Sequence, residues 1–209
     1  MNKDNKFGLS KFCINENLIE AGIDEAGRGP LIGRVYAAAV IIDTDQEIHP
    51  LLRDSKKMTR KNRGIVREWV EENTIFGVGY SDETLIDKIN ILQATYKAMH
   101  TALDKLIMEP EFIIVDGDKF NPYLSPSGDF ISYKTIPKGD TKFASICAAS
   151  VLAKEYHDEY IRELVEENPE LDDNYGLLSN MGYGTQLHMD GIKEHGVSKF
   201  HRRSFKCCC

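Results

Sequence analysis

Residues 21–35, AGIDEAGRGPLIGRV, set two adjacent acids, Asp24 and Glu25, at the end of an apolar run and follow them with a glycine-rich turn. Burying an unpaired carboxylate is very costly, so an acid at a strand end needs a cation partner or a metal. Strand side chains alternate between faces. Asp24 and Glu25 can therefore meet in one site only if the strand stops or bends between them, and Gly27 and Gly29 supply that break. The flanks, 18–23 and 35–42, read as two strands joined by a tight loop. The loop has a superficial likeness to the dinucleotide fingerprint. However, Pro30 lies between Gly29 and Gly33 and a strand follows, which removes the helix N-terminus that a pyrophosphate needs.

Working outward, Ile65, Val66, Trp69 and Val70 recur at helical spacing after Thr59, and TIFGVGYS returns to strand chemistry. A helix over 90–107 carries Ile91, Leu92, Thr95, Met99, Leu103 and Leu106 on one face, and FIIVD is a buried strand ending at Asp116. A strand over 130–136 precedes residues 138–168, which read as one long helix opened near Asp140. This order predicts an α/β fold, a mixed sheet flanked by helices. It reads as one domain over 1–209, with a core of about 18–170 and a small helical C-terminal portion at about 171–206.

The 42% hydrophobic content allows a proper core, and neither a signal-like h-region nor a run of about 20 apolar residues occurs. Five cysteines imply no disulfide framework. The triplet Cys207, Cys208 and Cys209 reads as a frayed end, and a reduced intracellular compartment, the cytoplasm, is expected. The net charge of −7 argues against nucleic acid, but its distribution reverses that inference. Residues 154–174 hold nine acids against two bases, whereas 53–63 carry six bases against one acid and 193–206 carry five against one. Each basic run is as readily a solvated face as a phosphate site. His188 and His195 have no third ligand nearby and read as surface histidines.

Asp116 repeats the pattern of Asp24: an acid closing an apolar strand. Asp140 would be an ordinary helix N-cap, or a fourth acid at the strand ends, where ligands of α/β folds bind. Asp158 lies too far along the same helix to join it, and Asp118 is expected to be solvated. Four carboxylates without Cys or His suit two Mg²⁺ or Mn²⁺ ions, one activating water and one stabilising a leaving oxygen. A nuclease follows, although a metal-dependent phosphatase fits the same donors.

Seven segments in order resemble the type 2 ribonucleases H, ribonuclease HII: GIDEAGRGPLIG, DSKKMT, IDKINILQAT, IIVDGD, KGDTKFASICAASVLAK, GYGTQLH and HRRSF. The resemblance runs from about residue 18 to the end. It implies a ribonuclease H-like fold that cleaves the RNA strand of RNA/DNA hybrids and incises 5′ of single ribonucleotides in duplex DNA, leaving 3′-hydroxyl and 5′-phosphate ends. It carries the metal and catalytic roles to Asp24, Glu25, Asp116 and Asp140, and the grip on the junction ribose to Gly27, Arg28 and Gly29. Tyr183 is assigned to stacking on the following deoxyribose, and Lys56, Arg202 and Arg203 to phosphates, with a structural brace as the alternative for the two arginines. Arg34, Met181, Glu155 and His157 depart from the family's usual residues; the first two lie where substrate grip could change, the last two on a helix at a point expected to be far from Asp140. The aromatic tail that docks some relatives on a sliding clamp is not seen after HRRSF, and a monomer is expected. The sister type 3 enzymes carry an extra N-terminal domain for which residues 1–17 leave no room. A non-catalytic hybrid-binding module would have lost an acid.

Overall fold

The computed structural model describes residues 7–208, so the first six residues and Cys209 of the terminal triplet lie outside the described residues. Six strands form one sheet: β1 (Glu20–Ala26), β2 (Val35–Ile41), β3 (Ile75–Ser81), β4 (Phe112–Asp116), β5 (Tyr123–Leu124) and β6 (Phe130–Ile136), in the order β3-β2-β1-β4-β6-β5. β1 runs parallel to β4, and β4 to β6, while β2, β3 and β5 pair antiparallel. The sheet is therefore mixed, as expected. β2, VYAAAVI, is buried at every position because helices cover both faces, which is why it reads as a continuous apolar run.

On one face lie α1 (Arg60–Asn73) and α3 (Ala144–Glu167), whose Val66, Val70, Ala148 and Leu152 pack with Ala38 and Val40 of β2. Full burial of Val66 and Val70 stabilises by about 1.5–3 kcal/mol each. On the other lies α2 (Glu83–Asp104), which packs Met99 and Leu103 against Ala37, Ala39, Ile113 and Val115. α3 crosses β1 so closely that a Cβ on Gly22 would sit 2.4 Å from the Ile146 backbone nitrogen. Only glycine permits that approach. The chain closes with α4 (Glu170–Tyr175), α5 (Leu177–Asn180) and α6 (Gln186–His195), which share a cluster of Ile32, Tyr36, Tyr160, Leu164 and Leu177 with α3 and the first loop.

Several expectations are corrected. β1 does not stop between Asp24 and Glu25: pairing with β2 continues through Asp24↔Ala38, Glu25↔Ala37 and Ala26↔Tyr36. The helix expected from residue 90 begins at Glu83, where Asp82 caps it by accepting from the Leu85 N–H. Asn90, at φ 66°, breaks it, and its side chain caps the second half at Leu92 and Gln93. The long helix opened near Asp140 is two elements, a 3-10 turn at Gly139–Thr141 and then α3 with Phe143 at its N-cap. Asp140 is thus not the N-cap of α3. The C-terminus is not frayed up to Cys208, which is 7% exposed in a 3-10 turn at Lys206–Cys208 with its Sγ toward the Leu31 carbonyl.

Candidate active site

Parallel β1 and β4 end side by side, so Asp24 and Glu25 near the end of one strand and Asp116 at the end of the other share one edge of the sheet. The chain leaving β6, itself parallel to β4, turns through Lys138, at φ 57°, into the Gly139–Thr141 turn that carries Asp140. The Gly139 N–H donates to Asp116 Oδ1 at 2.6 Å, tying that turn to the end of β4. Four acids from three separate parts of the chain are therefore neighbours at the C-terminal edge of the parallel strands.

Their electrostatics confirm the proximity. Asp24 is 7% exposed, and its carboxyl is held well above the usual range by burial first, then by the charges of Glu25 and Asp116. Burial likewise raises Glu25, opposed by its 3.0 Å ion pair with Arg28, while Asp116 raises it further. Asp140 is raised by burial, then by Asp116 and Asp54. The Glu25 N–H and the Ser150 hydroxyl both hold Asp24, and Ser150 in turn meets Ser55 at 2.9 Å. Among the described residues, no three acid, imidazole or thiol side chains are already closed around a common point. The acids form an open, mutually repelling set whose all-oxygen chemistry suits a hard divalent cation.

Beside the acids, Lys56 stands exposed in a 3-10 turn at Ser55–Lys57, where its charge lowers both Glu25 and Asp140. Gly27 adopts φ 86°, and Gly29 lies against the exposed ring of Tyr183, since a Cβ there would be 3.1 Å from Tyr183 Cε1. The turn and the tyrosine therefore form one continuous surface, with the Arg28 side chain half exposed on it.

Arg202 requires a correction. It is 0% exposed and cannot reach a phosphate. Its guanidinium donates to the carbonyls of Gly27, Arg28, Pro30, Gly33 and Arg34, at 2.7, 3.2, 2.7, 2.8 and 3.0 Å. Burial lowers its pKa to about 10, so it remains charged at pH 7, neutralised by carbonyl dipoles. Arg203 is exposed, with its backbone N–H on Asp87.

His188 is also corrected: it is fully buried, while His195 is exposed. The His157 ring packs directly under Gly27, and Glu155 is buried on Arg63 at 2.6 Å. Asp158, excluded from the acid site, pairs with Arg63 and Lys154, and Asp118 is exposed. Arg34 lies over both Tyr80 and Tyr160, and Met181 packs in the C-terminal cluster. Sequence reading missed Ser150 and Asp54 as neighbours of the acids. A serine in a helix of small residues and an acid opening a basic run carry no signal of their own.

The family described as Ribonuclease HII matches this sequence over residues 21–208. A Ribonuclease HII of Bacteroides thetaiotaomicron is 46% identical over 193 residues, 92% of each chain. Among solved structures, ribonuclease H2 from Pyrococcus horikoshii OT3 superposes with a TM-score of 0.71 at 24% identity, covering 90% of this chain and 94% of that one. The ribonuclease HII in a PCNA complex from Archaeoglobus fulgidus gives 0.72 at 22% identity, covering 90% and 96%. Both show the same mixed, helix-flanked fold.

Proposed function

The chain belongs to the ribonuclease HII family and is a ribonuclease H endonuclease directed at the RNA strand of RNA/DNA hybrids; from that premise we propose that it also incises 5′ of single ribonucleotides in duplex DNA, leaving 3′-hydroxyl and 5′-phosphate ends. The observation that supports this reading is the meeting of the Gly27–Gly29 turn with the exposed Tyr183 ring, a Cβ on Gly29 being 3.1 Å from Tyr183 Cε1, next to acids among which the Asp24 carboxyl is raised by burial, then by Glu25 and Asp116. Such repulsion is relieved by cations, and a phosphodiester brought to the same pocket needs them too.

Asp24, Glu25, Asp116 and Asp140 would hold two divalent ions, Mg²⁺ or Mn²⁺. When bound, such ions supply an activated water and stabilise the leaving oxygen. The remaining work belongs to the protein. The Glu25 N–H and Ser150 aim Asp24, the Gly139 N–H aims Asp116, and Arg28 restrains Glu25. Lys56 offers a charge for the substrate backbone, which positions a duplex without reading its sequence. Gly27, Arg28 and Gly29 present backbone groups to the 2′-hydroxyl that separates RNA from DNA, and the Tyr183 ring offers a flat face to the next, bare sugar. Arg203, exposed, is left as a further phosphate contact. Cys13, Cys147, Cys207 and Cys208 are free thiols, which suits a reducing compartment.

The test is a duplex with one ribonucleotide, incubated with Mg²⁺, with Mn²⁺, with chelator, and with the Asp24→Asn variant. Cleavage 5′ of the ribonucleotide by the wild type alone, under metal alone, is expected; an intact duplex beside a cleaved hybrid rejects the single-ribonucleotide activity.

A further inference from the structure

The two parts of the proposed ribonucleotide-reading surface, the turn at 27–34 and Tyr183, come from distant stretches of chain, yet both are tied to the consecutive residues His201 and Arg202. Arg202 grips the turn through five carbonyls. His201, 1% exposed, sets its Nε2 3.0 Å from Nε2 of the fully buried His188, whose Nδ1 lies 3.1 Å from the Tyr183 carbonyl oxygen.

The direction of this chain of bonds is forced. A carbonyl only accepts, so His188 Nδ1 carries a proton and donates to Tyr183. The Ser198 backbone N–H only donates, and it points at His201 Nδ1 at 2.9 Å, so that nitrogen is bare. His201 Nε2 therefore carries the proton and donates to the bare Nε2 of His188. One tautomer of each ring satisfies every atom, and the run from Ser198 to Tyr183 is complete.

We infer that the buried His201–His188 pair is a positioning device for Tyr183, fixing its backbone so that its ring stays against Gly29 and the sugar it reads. This rests on the reading of Tyr183 as the sugar-stacking residue. The Tyr183 carbonyl receives a second donor, the Thr185 N–H at 2.8 Å, so the segment between the two is held from both sides. Packing alone does not account for two imidazoles here. Their contacts with the Tyr175 ring, at 4.8 and 5.6 Å, would be made as well by apolar rings, without the demand for polar partners.

The experiment contrasts two substitutions of similar polarity. In His201→Gln the amide nitrogen reaches the place of Nε2 and can still donate to His188; in His201→Asn the side chain keeps Ser198 but falls short of His188. The quantity read is the ratio of kcat/KM on a single-ribonucleotide duplex to that on a continuous hybrid, where the next sugar is a ribose and the tyrosine contact differs. His201→Asn is expected to lower that ratio by about three- to tenfold, the range of one lost hydrogen bond, and His201→Gln to keep most of it. In a Tyr183→Ala background His201→Asn is expected to change the ratio no further. Equal losses on both substrates, equal behaviour of Gln and Asn, or an undiminished effect without the tyrosine ring would each overturn the inference. If Tyr183→Ala itself leaves the ratio unchanged, the stacking role of Tyr183 falls, and the inference falls with it. If Tyr183→Ala lowers the ratio and His201→Asn does not, the inference alone falls.

Discussion

Asp116 accepts the Gly139 N–H at 2.6 Å, and this bond fixes where Asp140 stands relative to the ends of the parallel strands. Donors likewise hold the other repelling carboxylates in place: the Glu25 N–H and the Ser150 hydroxyl on Asp24, and the Arg28 guanidinium on Glu25.

Asp24→Asn is expected to abolish cleavage, by 10³-fold or more, while making the metal-free protein more stable by about 1–3 kcal/mol. The substitution removes a buried charge raised by burial, Glu25 and Asp116, and keeps the shape and an acceptor for the Glu25 N–H. Mg²⁺ should raise the Tm of the wild type and raise that of the variant less, since only a ligand bound to the native state stabilises it. Thermal melting with and without metal measures both. A variant that melts below the metal-free wild type would contradict the repulsion described here.

Stability should fall as pH drops from about 6.5 to about 4. Burial, then the neighbouring His188, depresses His201 to about 4, and burial also lowers His188. In that window the unfolded chain binds protons that the folded pair refuses, so acid favours unfolding. His201 alone would contribute on the order of 3 kcal/mol, fully present above pH 6.5 and lost by about pH 4. Urea titrations across this range should show a smaller slope for His201→Gln than for the wild type. Equal slopes would mean that folding does not depress His201.

Arg202→Met should be the most damaging single change outside the acids. It keeps the length of the stem but leaves five carbonyls with one fewer donor each, and about 3 kcal/mol or more of stability is expected to go. Arg202→Lys, with one ammonium in place of the planar fork, should recover only part of it. Circular-dichroism melts of the two variants rank them. A loss confined to substrate affinity, with an unchanged Tm, would restore the phosphate role that burial denies.

These outcomes bear on what the sequence could reveal. The apolar runs of β2 and β4 and the 3.6-residue spacing of Val66 and Val70 were readable because burial dictates them locally. The turn at Gly139–Thr141 was not, because its helix-compatible residues are held by Asp116, 23 positions earlier. Nor was the burial of Arg202: a basic pair in a polar tail looks solvated, and the carbonyls that bury it lie 168 to 175 positions away. The continuation of β1 through Glu25 depended on β2 extending its own pairing to Tyr36. Individual acids were legible from their local setting, but the parts that aim them are long-range.

Gly27→Ala tests whether the turn is set by its own backbone or by what lies beneath it. At φ 86° an alanine is strained by about 1–2 kcal/mol. Its Cβ would also meet His157 Cδ2 at 2.5 Å and Nε2 at 2.9 Å. His157 cannot retreat, being fully buried, bonded to Asp158 and packed edge-on against Tyr36, so overpacking adds about 1–3 kcal/mol. Combining Gly27→Ala with His157→Ala removes the clash with the ring and leaves the dihedral strain and a 3.0 Å approach to the Arg34 carbonyl oxygen. The double variant should therefore be less destabilised than the sum of the two singles by about 0.5–3 kcal/mol in a urea double-mutant cycle. Additive losses would mean that His157 does not support the turn. Mg²⁺-dependent stabilisation of Gly27→Ala should persist, because the acids are carried by β1, β4 and the Gly139–Thr141 turn, while its cleavage of the single-ribonucleotide duplex drops.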